Sequence, residues 1–124
     1  MIRELYLVEL TVADWPAAVA WYRDILRFKV ALLARKDRFA LLEVGKGRIA
    51  LKEGRPQPGT MLLTFEVADL ATELQRLSTA GVTLESPIKT DDEGYRRAII
   101  RDPDGYRLCL FEWQRSDVNF PSAN

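Results

Sequence analysis

The sequence predicts an α+β fold built from two tandem βαβββ modules, and three observations carry that prediction. The order strand, helix, three strands occurs once on each side of the only Pro/Gly-rich stretch, Gly54-Arg55-Pro56-Gln57-Pro58-Gly59, close to the middle of the chain. Val12-Ala13-Asp14 recurs as Val67-Ala68-Asp69, at a strand-to-helix junction in both halves. Arg48-Ile49-Ala50-Leu51-Lys52-Glu53 aligns with Arg107-Leu108-Cys109-Leu110-Phe111-Glu112, sharing Arg, Leu and Glu at identical spacing in the last strand of each half. Self-similarity in both order and residues is the mark of an internal duplication. One domain over 1–124 is expected, with module one at about 4–53, a linker at 54–59, module two at about 60–113 and a tail at 114–124.

The elements follow in order. Tyr6, Val8, Leu10 and Val12 alternate with Leu7, Glu9 and Thr11, the period-2 pattern of a strand. Asp14 is placed to cap a helix with Pro16 in its first turn, and Ala18, Tyr22, Ile25 and Leu26 keep helical spacing, so the helix ends near Leu26. Phe28 to Leu33, Phe39 to Val44 and Arg48 to Glu53 read as strands, separated by Arg35-Lys36-Asp37 and by Gly45-Lys46-Gly47. In the second half, Thr60 to Val67 is a strand. Asp69 caps a helix bearing Leu70, Leu74 and Leu77 on one face, which Gly81 closes. Val82 to Glu85, Tyr95 to Arg101 and Arg107 to Trp113 complete the module, the last two joined by the turn Asp102-Pro103-Asp104-Gly105. The polar run from Lys89 to Arg97 reads as a mobile connection. The tail from Ser116 shows no periodicity, and its Val118, Asn119, Phe120 and Pro121 are candidates for docking on a partner subunit.

Composition narrows the function. The 18 basic and 18 acidic side chains balance, with no Lys/Arg run, which leaves no electrostatic footprint for nucleic acid or an anionic membrane. A single cysteine forms no internal disulfide, the start Met1-Ile2-Arg3-Glu4 lacks signal-peptide order, and no apolar run nears the ~18 residues of a membrane span. A cytoplasmic protein is expected. The absence of histidine rules out Ser-His-Asp and Cys-His nucleophile systems and the usual histidine metal sites.

The opening strand and helix, with Val12-Ala13-Asp14 and Ala20-Trp21-Tyr22-Arg23-Asp24-Ile25-Leu26, are joined by Phe65-Glu66-Val67-Ala68-Asp69 and Asp102-Pro103-Asp104-Gly105-Tyr106. On these residues the chain resembles the vicinal oxygen chelate superfamily, the glyoxalase, bleomycin-resistance protein and extradiol dioxygenase group. The resemblance spans Leu5 to about Trp113. It implies the glyoxalase/bleomycin-resistance fold, in which the modules form a curved mixed sheet around a cleft, and it implies a homodimer. It also places the family's metal-ligand positions on Leu7 and Leu62 in the first strands and on Ala50 and Cys109 in the last. Two leucines, an alanine and one thiol cannot hold a hard divalent cation. No metal and no cofactor are therefore expected.

Strand alternation then assembles a candidate ligand site from Leu7, Glu9 and Thr11, from Ala50 and Lys52, from Leu62, Thr64 and Glu66, and from Arg107, Cys109 and Phe111. Glu9 and Glu66 are expected at near-equivalent places in the two modules, as are Lys52 and Phe111. The result is a mostly apolar pocket edged by carboxylates, cations and hydroxyls, as small-molecule sites generally are. Glu9 and Glu66 either pair with Lys52 or Arg107 across the sheet, anchor a cationic ligand, or act as a general base. Cys109 reads as a small buried hydrophobe, and Glu53 and Glu112 as structural residues facing away. Phe111 and Trp113 are placed to stack on a planar ligand, while Tyr95, Arg96 or Arg97 are candidates to close over the cleft mouth. The leading expectation is a metal-independent binder of a partly apolar organic ligand or antibiotic. The alternatives are a lyase or isomerase using Glu9 or Glu66 as base with Lys52 or Arg107 stabilising an enolate, and an interaction module.

Overall fold

In the computed structural model, residues 1–90, 92 and 94–114 are described, and the chain divides between Gly59 and Thr60 into two compact units that coincide with the modules. Each unit holds one four-stranded mixed sheet. In the first, β1 (Val8–Val12), a helix, β2 (Lys29–Ala34), β3 (Phe39–Val44) and β4 (Gly47–Glu53) assemble in the order β1-β4-β3-β2. β1 runs parallel to β4, and the other neighbours are antiparallel. Parallel partners need a long crossover, supplied here by everything between them in sequence. The register sets Leu10 beside Leu51 and Ala40 beside Leu51, with Ile49 beside Val8 and Leu42. These residues share one face, and Leu10, Ala40, Leu42, Ile49 and Leu51 are buried along with Trp15, Ala18, Val19 and Tyr22 of the helical segment.

That segment starts as α1 (Trp15–Ala20), where the Asp14 carboxylate accepts from the Ala17 N–H at 3.1 Å. Over Trp21–Ile25 the winding widens to a π-helical turn, in which the Leu26 N–H donates to the Trp21 carbonyl at 3.2 Å. The segment ends where the sequence predicts, but the wide turn is not written in its spacing. It carries the wholly buried Tyr22 between Trp21 and Phe28, with ring centroids 5.0 and 5.8 Å away. Trp15 is anchored too, its indole N–H donating to the Leu51 carbonyl at 3.2 Å.

The second unit repeats the plan with β5 (Leu62–Glu66), α2 (Leu70–Thr79), β6 (Thr83–Thr90), β7 (Tyr95–Arg101) and β8 (Arg107–Trp113), in the order β5-β8-β7-β6. Two carboxylates satisfy N–H groups that the start of α2 leaves unpaired. Asp69 accepts from the Thr72 N–H at 3.1 Å, which holds its carboxyl below the usual range, and Glu112 accepts from the Leu70 N–H at 2.7 Å. Between β7 and β8 the buried Asp102 folds the chain back. Its carboxylate accepts from the N–H groups of Asp104 and Tyr106 at 2.9 and 2.8 Å, while Gly105 takes the left-handed φ of +90° that the turn demands.

One strand differs from the sequence reading. β6 continues to Thr90, where Val82 to Glu85 was expected, so Lys89 and Thr90 belong to a strand and pair with Arg97 and Arg96. Pro87 hides this continuation, because a proline argues against a strand interior. It is accommodated because β6 is an edge strand and its ladder with β7 is interrupted between Ser86 and Lys89. The candidate docking residues Val118 to Pro121 lie outside the described residues. Among the described residues no helix is long and apolar enough to cross a membrane.

Leu51 is fully buried in a strand with neighbours on both sides. Leu51→Ala is therefore expected to cost about 2–5 kcal/mol in denaturant unfolding. Glu112→Ala, which removes only the bond to the α2 N-terminus, is expected to cost about 1 kcal/mol.

Candidate ligand-binding site

Residues opposite one another in a sheet share a face, so the register sorts the sequence candidates into rows. In the first unit Glu9 lies beside Ala50 and then Leu41, and Thr11 beside Lys52 and then Phe39. In the second, Leu62 lies beside Arg107 and Arg101, Thr64 beside Cys109 and Ile99, and Glu66 beside Phe111 and Arg97. The expected same-face sets are thus formed within each sheet. One expected equivalence is not. Ala50 and Cys109 occupy matching places, so the counterpart of Glu9 is Thr64, and the counterpart of Glu66 is Thr11. The two carboxylates sit one row apart in the repeat because side chains return to the same face only every second residue.

The expected ion pairs also fail to form. Glu9 and Glu66 are exposed and have no ion pair among the described residues. The Lys52 ammonium donates instead to the Asp37 carbonyl at 2.6 Å. Arg107 stands opposite Arg101, a juxtaposition of like charges that destabilises a sheet unless something neutralises it. Glu85 does so, with oxygens 2.8 Å from the Arg101 guanidinium and 2.9 Å from that of Arg107. It lies where the β6 register shifts between Leu84 and Ser86, and an irregularity of that kind re-aims a side chain. The hydrogen bond from Arg107, with the two positive charges, holds the Glu85 carboxyl below its ordinary range. Both cations offered for enolate stabilisation are therefore engaged elsewhere.

The remaining candidates separate by exposure. Ala50 and Cys109 are buried, Leu7 and Leu62 are half-buried, and Thr64 is exposed. On the second sheet Thr64, Cys109 and Phe111 line a pocket of about 230 Å³ together with Tyr95, Arg97 and Trp113. Tyr95, Phe111 and Trp113 are half-buried and meet edge-on, with centroids 5.2 to 6.0 Å apart and ring planes 78° to 88° from one another. Edge-to-face packing covers part of one ring face at each contact, and because the rings are only half-buried the rest of their apolar surface lines the pocket. Tyr95 and Arg97, expected over a cleft mouth, are wall residues of β7, whereas Arg96 pairs with Glu112 on the opposite face. The signal for the enlarged wall was alternation continued one step past Phe111, to Trp113, and across to Tyr95.

The implied metal positions can be tested on their donors. Leu7, Leu62, Ala50 and Cys109 offer one thiol, and among the described residues no three His, Cys, Asp or Glu side chains stand together as a metal would require. The residues present do not fit a hard divalent ion.

Residues 5–110 match the family model described as Glyoxalase/Bleomycin resistance protein/Dioxygenase superfamily. Among solved structures, an integron cassette protein, HFX_CASS4, from the mobile metagenome of the Halifax Harbour sewage outfall is 23% identical with a TM-score of 0.77, covering 90% of this chain and 99% of its own. TioX from Micromonospora sp. ML1 is 22% identical with a TM-score of 0.75, covering 90% of this chain and 99% of its own. Lactoylglutathione lyase from Agrobacterium tumefaciens is 19% identical with a TM-score of 0.74, covering 90% of this chain and 94% of its own. At these identities the likeness establishes the fold. Among curated protein sequences none matches the chain.

Glu85→Gln is expected to lower the melting temperature at pH 7 by a few degrees, by leaving Arg101 and Arg107 opposed. A carboxylate whose folded-state pKa is depressed contributes stability that is complete above its ordinary value of 4.5 and is lost as pH falls through the lowered one. Thermal melts across pH 7 to 2 should therefore show the gap between variant and wild type closing below about that value.

Proposed function

Since the chain belongs to the Glyoxalase/Bleomycin resistance protein/Dioxygenase superfamily, we propose that it is a metal-independent small-molecule-binding protein that sequesters a partly apolar organic ligand, such as a planar antibiotic or metabolite. The observation that carries this reading is the trio Tyr95, Phe111 and Trp113, three half-buried rings placed edge-on around one pocket. A core cluster would be fully buried, and a solvated face would not gather three aromatic side chains on adjacent strands. Small-molecule sites are built in this way, from apolar and aromatic walls with a few polar groups that set orientation. Thr64 and Arg97 are the polar groups here. The pocket is smaller than the ~300–1,000 Å³ usual for drug-sized ligands, which favours a guest held by one flat ring system.

Independence from metal rests on the donor set at Leu7, Leu62, Ala50 and Cys109. The homodimer implied by the resemblance belongs to the same reading, supported by large apolar side chains exposed at Ile2, Leu5, Leu32 and Leu84. Sedimentation at twice the chain mass is the expected result. A cytoplasmic location is part of the reading as well, supported by the single cysteine.

Titration with a panel of aromatic and cationic antibiotics and metabolites, followed through Trp113 fluorescence, should find saturable binding that a chelator leaves unchanged. Trp113→Phe, a control, removes the signal, and Phe111→Ala is expected to weaken affinity about tenfold or more, the scale of a lost aromatic anchor. Saturable binding by no member, or binding that appears only with a divalent ion, would count against the proposal.

A further inference from the structure

Arg97 occupies a place that no carboxylate among the described residues neutralises. It projects into the pocket from β7, half-buried, directly across from Phe111 and beside Lys89 on the edge strand. The other guanidiniums of the strand are accounted for. Arg101 is held by Glu85, and Arg96 lies on the far face opposite Glu112 and close enough to Asp69 to lower that carboxyl. Arg107 on β8 is held by Glu85 as well. Arg97 has no carboxylate partner among the described residues. The carboxylate in its own row, Glu66, sits two strands away beyond Phe111, roughly 10 Å at the spacing of neighbouring strands.

A guanidinium partly withdrawn from water and met by no anion among the described residues is a costly arrangement, because its desolvation is not compensated there. An incoming carboxylate removes that cost and gains two parallel charge-assisted hydrogen bonds. The rows of the two sheets show where the cation comes from. Module one carries Thr11, Lys52 and Phe39 in the row where module two carries Glu66, Phe111 and Arg97, so cation and aromatic ring have exchanged strands. In module one the cation is spent on the Asp37 carbonyl. In module two it sits at the pocket wall beside the aromatic trio.

From this we infer that the ligand is an aromatic anion: its ring lies against Tyr95, Phe111 and Trp113, and its carboxylate, or an equivalent planar oxyanion, pairs with Arg97, with the Thr64 hydroxyl as a neutral donor on the β5 side. Arg97 is thus the specificity-determining residue. The inference rests on the aromatic pocket being the binding site, and it adds the sign of the ligand's charge.

The test uses two probes with one ring system, 2-naphthoate and its neutral counterpart 2-naphthamide, each titrated against the full chain with Trp113 fluorescence as the readout. Wild type is expected to bind the naphthoate about tenfold more tightly, and added salt should weaken that probe more than the amide. Arg97→Gln should equalise the two by lowering naphthoate affinity alone. Arg97→Lys, which keeps the charge without the fork, should restore part of the preference. Unfolding curves superimposable with wild type exclude a folding defect as the cause, and should Arg97→Gln not fold, the wild-type preference and its salt dependence decide by themselves. Equal binding of the two probes by wild type overturns the inference while leaving the aromatic site standing. Binding of neither overturns the site and the inference together.

Discussion

The parallel pairing of the first and last strand in each module is the constraint on which everything else rests. Side chains alternate faces with a period of two, so a one-residue slip of β8 against β5 would send Cys109 and Phe111 to the helix side and bring Leu108 and Leu110 out. The slip is prevented from one face and at both ends of the strand. Leu108 and Leu110 are buried on one side, and Asp102 sets the entry into β8 with hydrogen bonds at 2.8 and 2.9 Å to the turn that precedes it. At the far end of the strand Glu112 is tied to the start of α2. A helix cap and a turn thus hold the register that places an aromatic ring in a pocket.

Duplication supplied one scaffold twice, and the two copies then spent it differently. Rows that match in backbone register carry Ala50 and Cys109, Glu9 and Thr64, Lys52 and Phe111. The pairing of the third and fourth strands of module two also runs one row further, to Tyr95 beside Trp113. Module one ends its corresponding ladder at Phe39 beside Lys52 and turns through Arg38, at a left-handed φ of +51°. The extra row is where the aromatic wall is completed. Gly54 stands in module one at the place of Trp113, and a side chain there would meet the Thr11 methyl at 2.6 Å. Module one therefore has no room for the same wall.

Charge follows the same logic of local solutions. Like-charged Arg101 and Arg107 are stable neighbours because an interrupted edge ladder turns Glu85 between them. That arrangement ties two cations of this face to one carboxylate, while Arg97 and Thr64 stand as polar residues of the pocket wall.

Sequence by itself determined the two βαβββ modules, the caps Asp14 and Asp69, the Asp102 turn and the same-face sets within each sheet. These are properties of near neighbours, written as periodicity, punctuation and repetition. It also settled that Leu7, Leu62, Ala50 and Cys109 lack the donors for a metal, since that depends on residue type alone. The length of β6 was illegible because Pro87 contradicts a strand unless the strand is known to lie at an edge. Which cation meets which carboxylate was decided only in the tertiary structure. Glu66 and Arg107 lie on one face yet stay apart, because the register sets Glu66 beside Phe111, four residues or about 13 Å along the strand from Arg107, while Glu85, 22 residues earlier in the chain, reaches Arg107. Ion pairs and pocket walls join side chains across strands, and their partners are chosen by register and bulges, which a linear pattern does not encode.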